Sequence, residues 1–415
     1  MNEGSGSTGK AVSRSMTIVV VAAATAVQAV LTWAMMVLPA IAPKLAAALG
    51  LPPALIGYQV SLLYGGAIAT SLIGGAAVRR WGACRVSQAS MVFGGVGCAL
   101  AAVPNVPVLA LASLLIGMGY GLTNPPASHL LSRVAQGRHR NMIFSIKQTG
   151  VPIGGVLAGL TAPPIALAFG WQWAPLAVTI ASALLIVALQ PARPGWDFDR
   201  DPGAKISANP LVGLRPIGTR PVLRWLSVMA FFYAFLQLCL MTFLVTLLVE
   251  ELAFSLVAAG FLLSLAQVAG VLGRVLWGWT ADRLGDGLKV LIVLGAASLV
   301  LAAVTAAMTP AWPPLLIQVT FALFGLIAIG WNGVYLAEVA RVSPPGQVGA
   351  ATGGSLSVTY TGVMCGPAAF ALAYGLVGSY AATFGLLAAI ALAGIVAVTL
   401  ARLVARLPSP PPPSS

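Results

Sequence analysis

Long apolar stretches, interrupted at intervals by short polar, glycine- or proline-containing segments, run through the chain almost from end to end. A helix needs about 20 mostly apolar residues to cross roughly 30 Å of hydrocarbon, where every backbone N–H and C=O has to be paired within its own segment. Runs of that kind lie at 16–41, 54–78, 86–103, 107–131, 142–169, 172–190, 221–249, 256–280, 288–308, 314–339, 350–377 and 380–404, which predicts twelve membrane spans. The longest connection, 191–220, carries Pro191, Pro194, Asp197, Asp199, Asp201, Lys205 and Pro210, and it divides the spans six and six. The expected fold class is an all-α membrane protein with twelve transmembrane helices in two pseudo-symmetric six-helix bundles. Its expected parts are a disordered N-terminus (1–15), an N-terminal half (16–190), a linker (191–220), a C-terminal half (221–405) and a disordered Pro/Ser tail (406–415).

Composition removes the soluble alternatives. Of 415 residues 59% are hydrophobic and 7% charged, against about a quarter charged in soluble domains, and the mean hydropathy is +0.95. A net charge of +13 in a soluble protein would suggest nucleic-acid binding. Here, with an even number of spans, 19 of the 22 Lys and Arg fall on the side of the two termini. The positive-inside rule then places both termini in the cytoplasm, and no nucleic-acid partner is expected. Short opposite-face loops and the absence of any N-x-[ST] acceptor suit a bacterial inner membrane. The first apolar run is too long for a signal-peptide core. The four cysteines are scattered without disulfide or zinc spacing, and His129 and His139 have no metal-ligand company, so neither a cofactor nor a metal is expected.

The halves repeat one another. Gly75–Gly82 and Gly278–Gly285 correspond at an offset of 203, Asn124 and Arg133 match Asn332 and Arg341 at 208, and Thr149, Gly150 and Gly154 match Thr361, Gly362 and Gly366 at 212. The segment G-W-T-A-D-R-L-G at Gly278–Gly285 resembles the loop signature G-x-x-x-D-R-x-G of the major facilitator superfamily, at the eighth-to-ninth loop where that family carries it. The resemblance covers nearly the whole chain. It implies close helix approach at the glycines and a gating role for Gly278, Asp282, Arg283 and Gly285, with the acid pairing across the cytoplasmic closure. The first copy departs from the pattern, because Arg79 stands where the acid is expected. Arg79 and Arg80 cannot form the usual latch, so this half must close differently or use lipid phosphate as its partner.

Ionisable groups inside a bilayer are costly and therefore mark function. Lys147 lies roughly 10 Å into the fifth span and Arg274 roughly 12 Å into the eighth, at 1.5 Å per residue. The resemblance places these two helices opposite each other across the halves. Two cations in one cavity repel unless an anion joins them, and arginine grips carboxylate or phosphate with a planar fork. The stretch R-V-L-W-G-W-T-A-D also resembles the eighth helix of oxalate/formate exchangers and monocarboxylate carriers, which implies a substrate-carboxylate contact for Arg274. No second lysine occurs on the eleventh span, so oxalate itself is not implied. Against these readings, Lys147 could snorkel to the interface, and Arg274 could serve unrelated substrates.

Asn124 and Asn332 fall near the midplane, with Gln148, Gln267, Gln237, Trp331 and Tyr335 as further candidates for an amphipathic pocket; each could equally bond a neighbouring helix. Glu338, the one acid inside a predicted span, three residues before Arg341, reads either as half of a gating ion pair with the loop arginines, Arg283 among them, or as a proton carrier. Gly150–Gly155 and Gly159 form a small-residue stripe resembling the fifth-helix motif of antiporters in the superfamily. The expectation is a secondary active transporter, not an enzyme. It moves a small organic anion by alternating access, proton-coupled or by exchange, in a lipid bilayer and as a monomer. A drug or metabolite efflux antiporter is the alternative.

Overall fold

The computed structural model describes residues 14–134, 143, 146–205, 215, 217–344 and 348–406. The expected disorder at 1–15 and 406–415, part of the expected linker, and His139 lie largely or wholly outside them. Helix is the only regular structure among the described residues. The spans run Arg14–Met36, Ile56–Trp81, Ala83–Ala101, Val106–Gly121 continued by Asn124–Val134, Gly150–Ala168 and Trp173–Leu189 in the first half. In the second they run Pro221–Glu250, Leu256–Leu284, Gly287–Ala306, Pro314–Ala328 continued by Trp331–Val342, Val348–Val377 and Tyr380–Arg406. Eleven of these are long and apolar enough to cross a membrane. The third, Ala83–Ala101, is diluted by Arg85, Ser87, Gln88 and Ser90, and it buries the last three against its own bundle.

Twelve spans in two bundles thus stand as expected, and the repeats have structural counterparts. On the fifth span, a Cβ at Gly150 or Gly154 would strike the first-span backbone at Thr25 and Ala29; on the eleventh, Gly362 and Gly366 meet the seventh-span backbone at Phe231 and Phe235 in the same way. The fourth and tenth spans both break near their middle. In the fourth the break precedes Asn124-Pro125-Pro126, where proline removes backbone donors; in the tenth it falls at Gly330, just before Trp331-Asn332.

The halves meet toward the face remote from the termini. There Gly57 of the second span lies against the Pro367 carbonyl and the Phe243 ring, and Gly159 of the fifth lies against Gly260 and Ser264 of the eighth. Phe243 in turn stacks on Phe370, with centroids 4.2 Å apart.

On the terminal face, the segment after the sixth span folds back onto the first half. The buried Asp197 carboxylate accepts the Cys84 and Arg85 amides at 2.6 and 3.3 Å, capping the third span. Gly82, at φ 94°, makes room for it: a Cβ there would collide with the Asp197 side chain. Arg133 donates to the Trp196 and Gly195 carbonyls, lies 4.3 Å from the Phe198 ring centroid, and shares Asp199 with His129, whose Nε2 is 2.8 Å from that carboxylate. The acid of this loop region thus comes from after the sixth span: Asp197 caps the third span and pairs with neither Arg79 nor Arg80 among the described contacts. The Arg79 carbonyl accepts the Asp201 amide at 2.8 Å, and Arg80 reaches the Ala204 carbonyl at 3.5 Å.

Candidate functional site

Lys147 sits just before Gly150, where the fifth span packs on the first, and it is 2% exposed. Its ammonium donates to Gln28 Oε1 (2.8 Å), Asn124 Oδ1 (2.5 Å) and Gln148 Oε1 (3.1 Å). An ammonium has three donors, and all three end on neutral amide oxygens from the first, fourth and fifth spans. The side chain does not snorkel to an interface. It ties three helices of one half together.

Beside this cluster lies a second one, built across the halves. Tyr120 lies at the end of the first segment of the fourth span, and Asn124 opens the second segment after the break. The Tyr120 ring meets Tyr64 of the second span edge-on, with centroids 6.2 Å apart and planes at 73°. Arg274 of the eighth span, Tyr360 of the eleventh and Gln28 of the first lie within electrostatic reach of Tyr120. Gln28 Nε2 stays outside full hydrogen-bond geometry and is buried without a protein partner; Arg274 Nε is buried in the same condition. No carboxylate among the described residues pairs with Arg274 or with Lys147. The arrangement runs Lys147, Gln28, Tyr120, Arg274 from one half to the other, with two cations and two idle donors.

The remaining candidates are distributed less centrally. Trp331 and Asn332 both donate to Gln237 Oε1, at 3.0 and 3.2 Å. Tyr335 stacks near Trp331 and hydrogen-bonds Ser355 and Thr359. Trp331 and Tyr335 are each 1% exposed, so their polar groups serve packing of the seventh, tenth and eleventh spans, while Asn332 remains partly exposed. Gln267 packs across the halves against Gly155. Gln148 is exposed apart from its bond to Lys147.

Of the gating candidates, Glu338 pairs with Arg341, whose Nε and Nη2 reach Glu338 Oε2 at 2.9 and 2.6 Å; the partner is Arg341 and not Arg283. Arg283 lies over the Trp279 ring at 5.2 Å, and Asp282 makes no ion pair among the described residues. Gly285 closes the eighth span at φ 62°, whereas Gly278 has no neighbour close enough to need a glycine in this conformation.

Gln28, Tyr64, Tyr120 and Tyr360 belong to the site and were not anticipated. Gln28 is the one amide of the first span, which was a readable signal. A surface groove between the first and fifth spans is lined by Val21, Ala22, Ile146, Ile153 and similar apolar side chains, as a lipid contact would be.

The profile of the Major Facilitator Superfamily matches residues 22–353, and the chain belongs to that superfamily as a multi-pass membrane protein. Among similar proteins, the 4-hydroxybenzoate transporter PcaK of Acinetobacter baylyi is 28% identical over 282 residues, covering 59% of this chain and 60% of that one. PcaK of Pseudomonas putida is 25% identical over 274 residues, 59% and 61% of the two chains. The match thus spans about 60% of the length of these relatives. Among solved structures, the peptide transporter POT in complex with sulfate superposes with a TM-score of 0.73 at 16% identity, covering 94% of this chain and 95% of that one. The nucleoside transporter NupG gives 0.75 at 15%, covering 94% and 99%. At these identities the likeness is one of fold.

Proposed function

We propose that this chain is a secondary active transporter that moves a small organic carboxylate across a bacterial inner membrane, with the halves rocking around a midplane site and both termini in the cytoplasm. The observation that carries the reading is Arg274: a guanidinium in the middle of a span, with a buried Nε that no protein group accepts, beside Tyr120, which in turn neighbours Tyr64 and Tyr360. A carboxylate would take up the fork, and edge-on tyrosines suit a planar ring. The relation to the two 4-hydroxybenzoate transporters supports the same class of substrate. Export of cationic drugs is not favoured, because no carboxylate among the described residues lies deep in a span. Glu338, held by Arg341 near the terminal end of the tenth span, fits a gating ion pair more than a proton carrier. The monomer suffices, since both walls of the site come from one chain.

The test is uptake of labelled 4-hydroxybenzoate into proteoliposomes by wild type and Arg274→Gln. Losing a charge-assisted bond of about 1.5–3 kcal/mol lowers kcat/KM roughly 10- to 150-fold. Uptake by Arg274→Gln at the wild-type rate would refute the assignment.

A further inference from the structure

Proton coupling needs a group that can gain and lose a proton between the two faces, and the acids of this protein are poorly placed for it. Asp197, Asp199 and Asp201 lie after the sixth span on the terminal face, and Asp282 and Asp286 lie at the eighth-to-ninth loop. Glu250 and Glu251 end the seventh span on the opposite face, where Glu251 accepts the Tyr380 and Ala381 amides. Glu338 is engaged by Arg341. What remains in the centre is Lys147.

We propose that Lys147 is the proton-carrying group of the transport cycle, exchanging its proton in step with the anion held at Arg274. The inference rests on the anion reading above. The titratable and charged groups around Lys147 are few. The first and sixth spans bring none within Ser15–Met36 or Trp173–Leu189. The fourth brings Tyr120, with His129 and Arg133 farther toward the terminal face; the eighth brings Arg274, the second Tyr64 and the eleventh Tyr360.

With an anion between the halves, the site holds two cations and one negative charge, and the ammonium is retained. When the anion leaves and the site closes, no carboxylate among the described residues remains to pair with either cation. Arginine cannot shed its proton, whereas a buried lysine can. The loaded carrier therefore moves one anion with one proton on Lys147, and the empty carrier returns with Arg274 charged and Lys147 as the amine. Charge balances: a monoanion and a proton cross together, and no net charge moves.

Gln28 has the geometry for the exchange. In the ammonium state its Oε1 accepts from Lys147 and its Nε2 is left without an acceptor. Once Lys147 loses a proton it has a lone pair, and rotation of the Gln28 amide turns Nε2 onto that lone pair and Oε1 toward the Tyr120 hydroxyl. The idle donor of one state becomes the partner of the other.

The experiment compares wild type, Lys147→Arg, Lys147→Gln, Glu338→Gln and Arg274→Gln in proteoliposomes, using labelled 4-hydroxybenzoate. Accumulation driven by an imposed pH gradient is read against counterflow exchange without one. Lys147→Arg keeps a cation that cannot titrate, so counterflow persists while pH-driven accumulation falls to the equilibration level; Glu338→Gln, which loosens the pair with Arg341, changes the rate of both but still accumulates substrate under a pH gradient. Undiminished accumulation by Lys147→Arg overturns the proposal. Arg274→Gln retaining both activities overturns instead the anion reading beneath it. Should the lysine variants not transport, binding calorimetry in buffers of different ionisation enthalpy decides. Wild type takes up protons on binding 4-hydroxybenzoate and neither lysine variant does; equal uptake by variant and wild type, or none by wild type, overturns the assignment.

Discussion

Replacing Asp197 with alanine removes the acceptor that caps the third span. Two backbone N–H groups, those of Cys84 and Arg85, lose a buried carboxylate at 2.6 and 3.3 Å. Loss of a helix N-cap costs about 1–2 kcal/mol. At roughly 2–4 °C per kcal/mol for a unit the size of one half, apparent unfolding falls by about 2–8 °C. Asp197→Asn keeps an oxygen for the Cys84 amide and stays near wild type. Cys84 itself supplies the local readout, since its thiol is fully buried and donates to the Leu189 carbonyl at 3.4 Å. In a background lacking Cys98, Cys239 and Cys365, a thiol-reactive dye should label Cys84 faster in Asp197→Ala than in Asp197→Asn. Burial, the largest influence, holds the Asp197 carboxyl above its usual value despite the two amides. The group is therefore most stabilising below the ordinary carboxylate range, and that stability is lost as pH rises through its raised value; Asp197→Asn removes this slope. Unchanged unfolding and Cys84 labelling in Asp197→Ala would refute the capping argument.

Asp286 has the opposite sign. Burial pushes its carboxyl up, but the Lys289 amide at 2.9 Å and Arg402 at 2.5 Å outweigh burial and hold it below its ordinary value. Its stabilisation is present above the ordinary carboxylate range and lost as pH falls through the lowered value, so Asp286→Asn should flatten the acid limb of a thermal-stability profile; a limb identical to wild type contradicts this. At Gly159 a Cβ would meet the Gly260 carbonyl and the Ser264 hydroxyl. Overpacking of about 1–3 kcal/mol there should move Gly159→Ala toward a conformation open on the remote face, read as a longer distance between spin labels placed on that face of the two halves. An unchanged distance distribution counts against the fifth-to-eighth contact as a determinant of closure.

The spans were legible because lipid imposes one requirement on every segment, and the two halves because duplicated residues keep their helical offsets. Gly150 and Gly362 could be matched on the page, and they do the same packing job in the two bundles. The site was legible only where a charge stood in a span, as at Lys147 and Arg274. Tyr64, Tyr120 and Tyr360 are ordinary apolar-run residues until three helices bring them together. That Lys147 would be saturated by Gln28, Asn124 and Gln148 depends on side-chain geometry, which spacing does not encode. The Arg79 anomaly shows the same limit. Asp197, which caps the third span next to that loop, lies beyond four further spans, and no local motif connects the two.

Arg274, with Tyr120 beside it, is proposed to hold a carboxylate. Thermal protection of the purified protein tests this claim most directly, because a ligand at 100 times its Kd stabilises by about 2.7 kcal/mol. The account predicts that 4-hydroxybenzoate raises the unfolding temperature of wild type, that the uncharged 4-hydroxybenzamide does not, and that Arg274→Gln responds to neither. Equal protection by the acid and the amide, or full protection of Arg274→Gln by the acid, would contradict it.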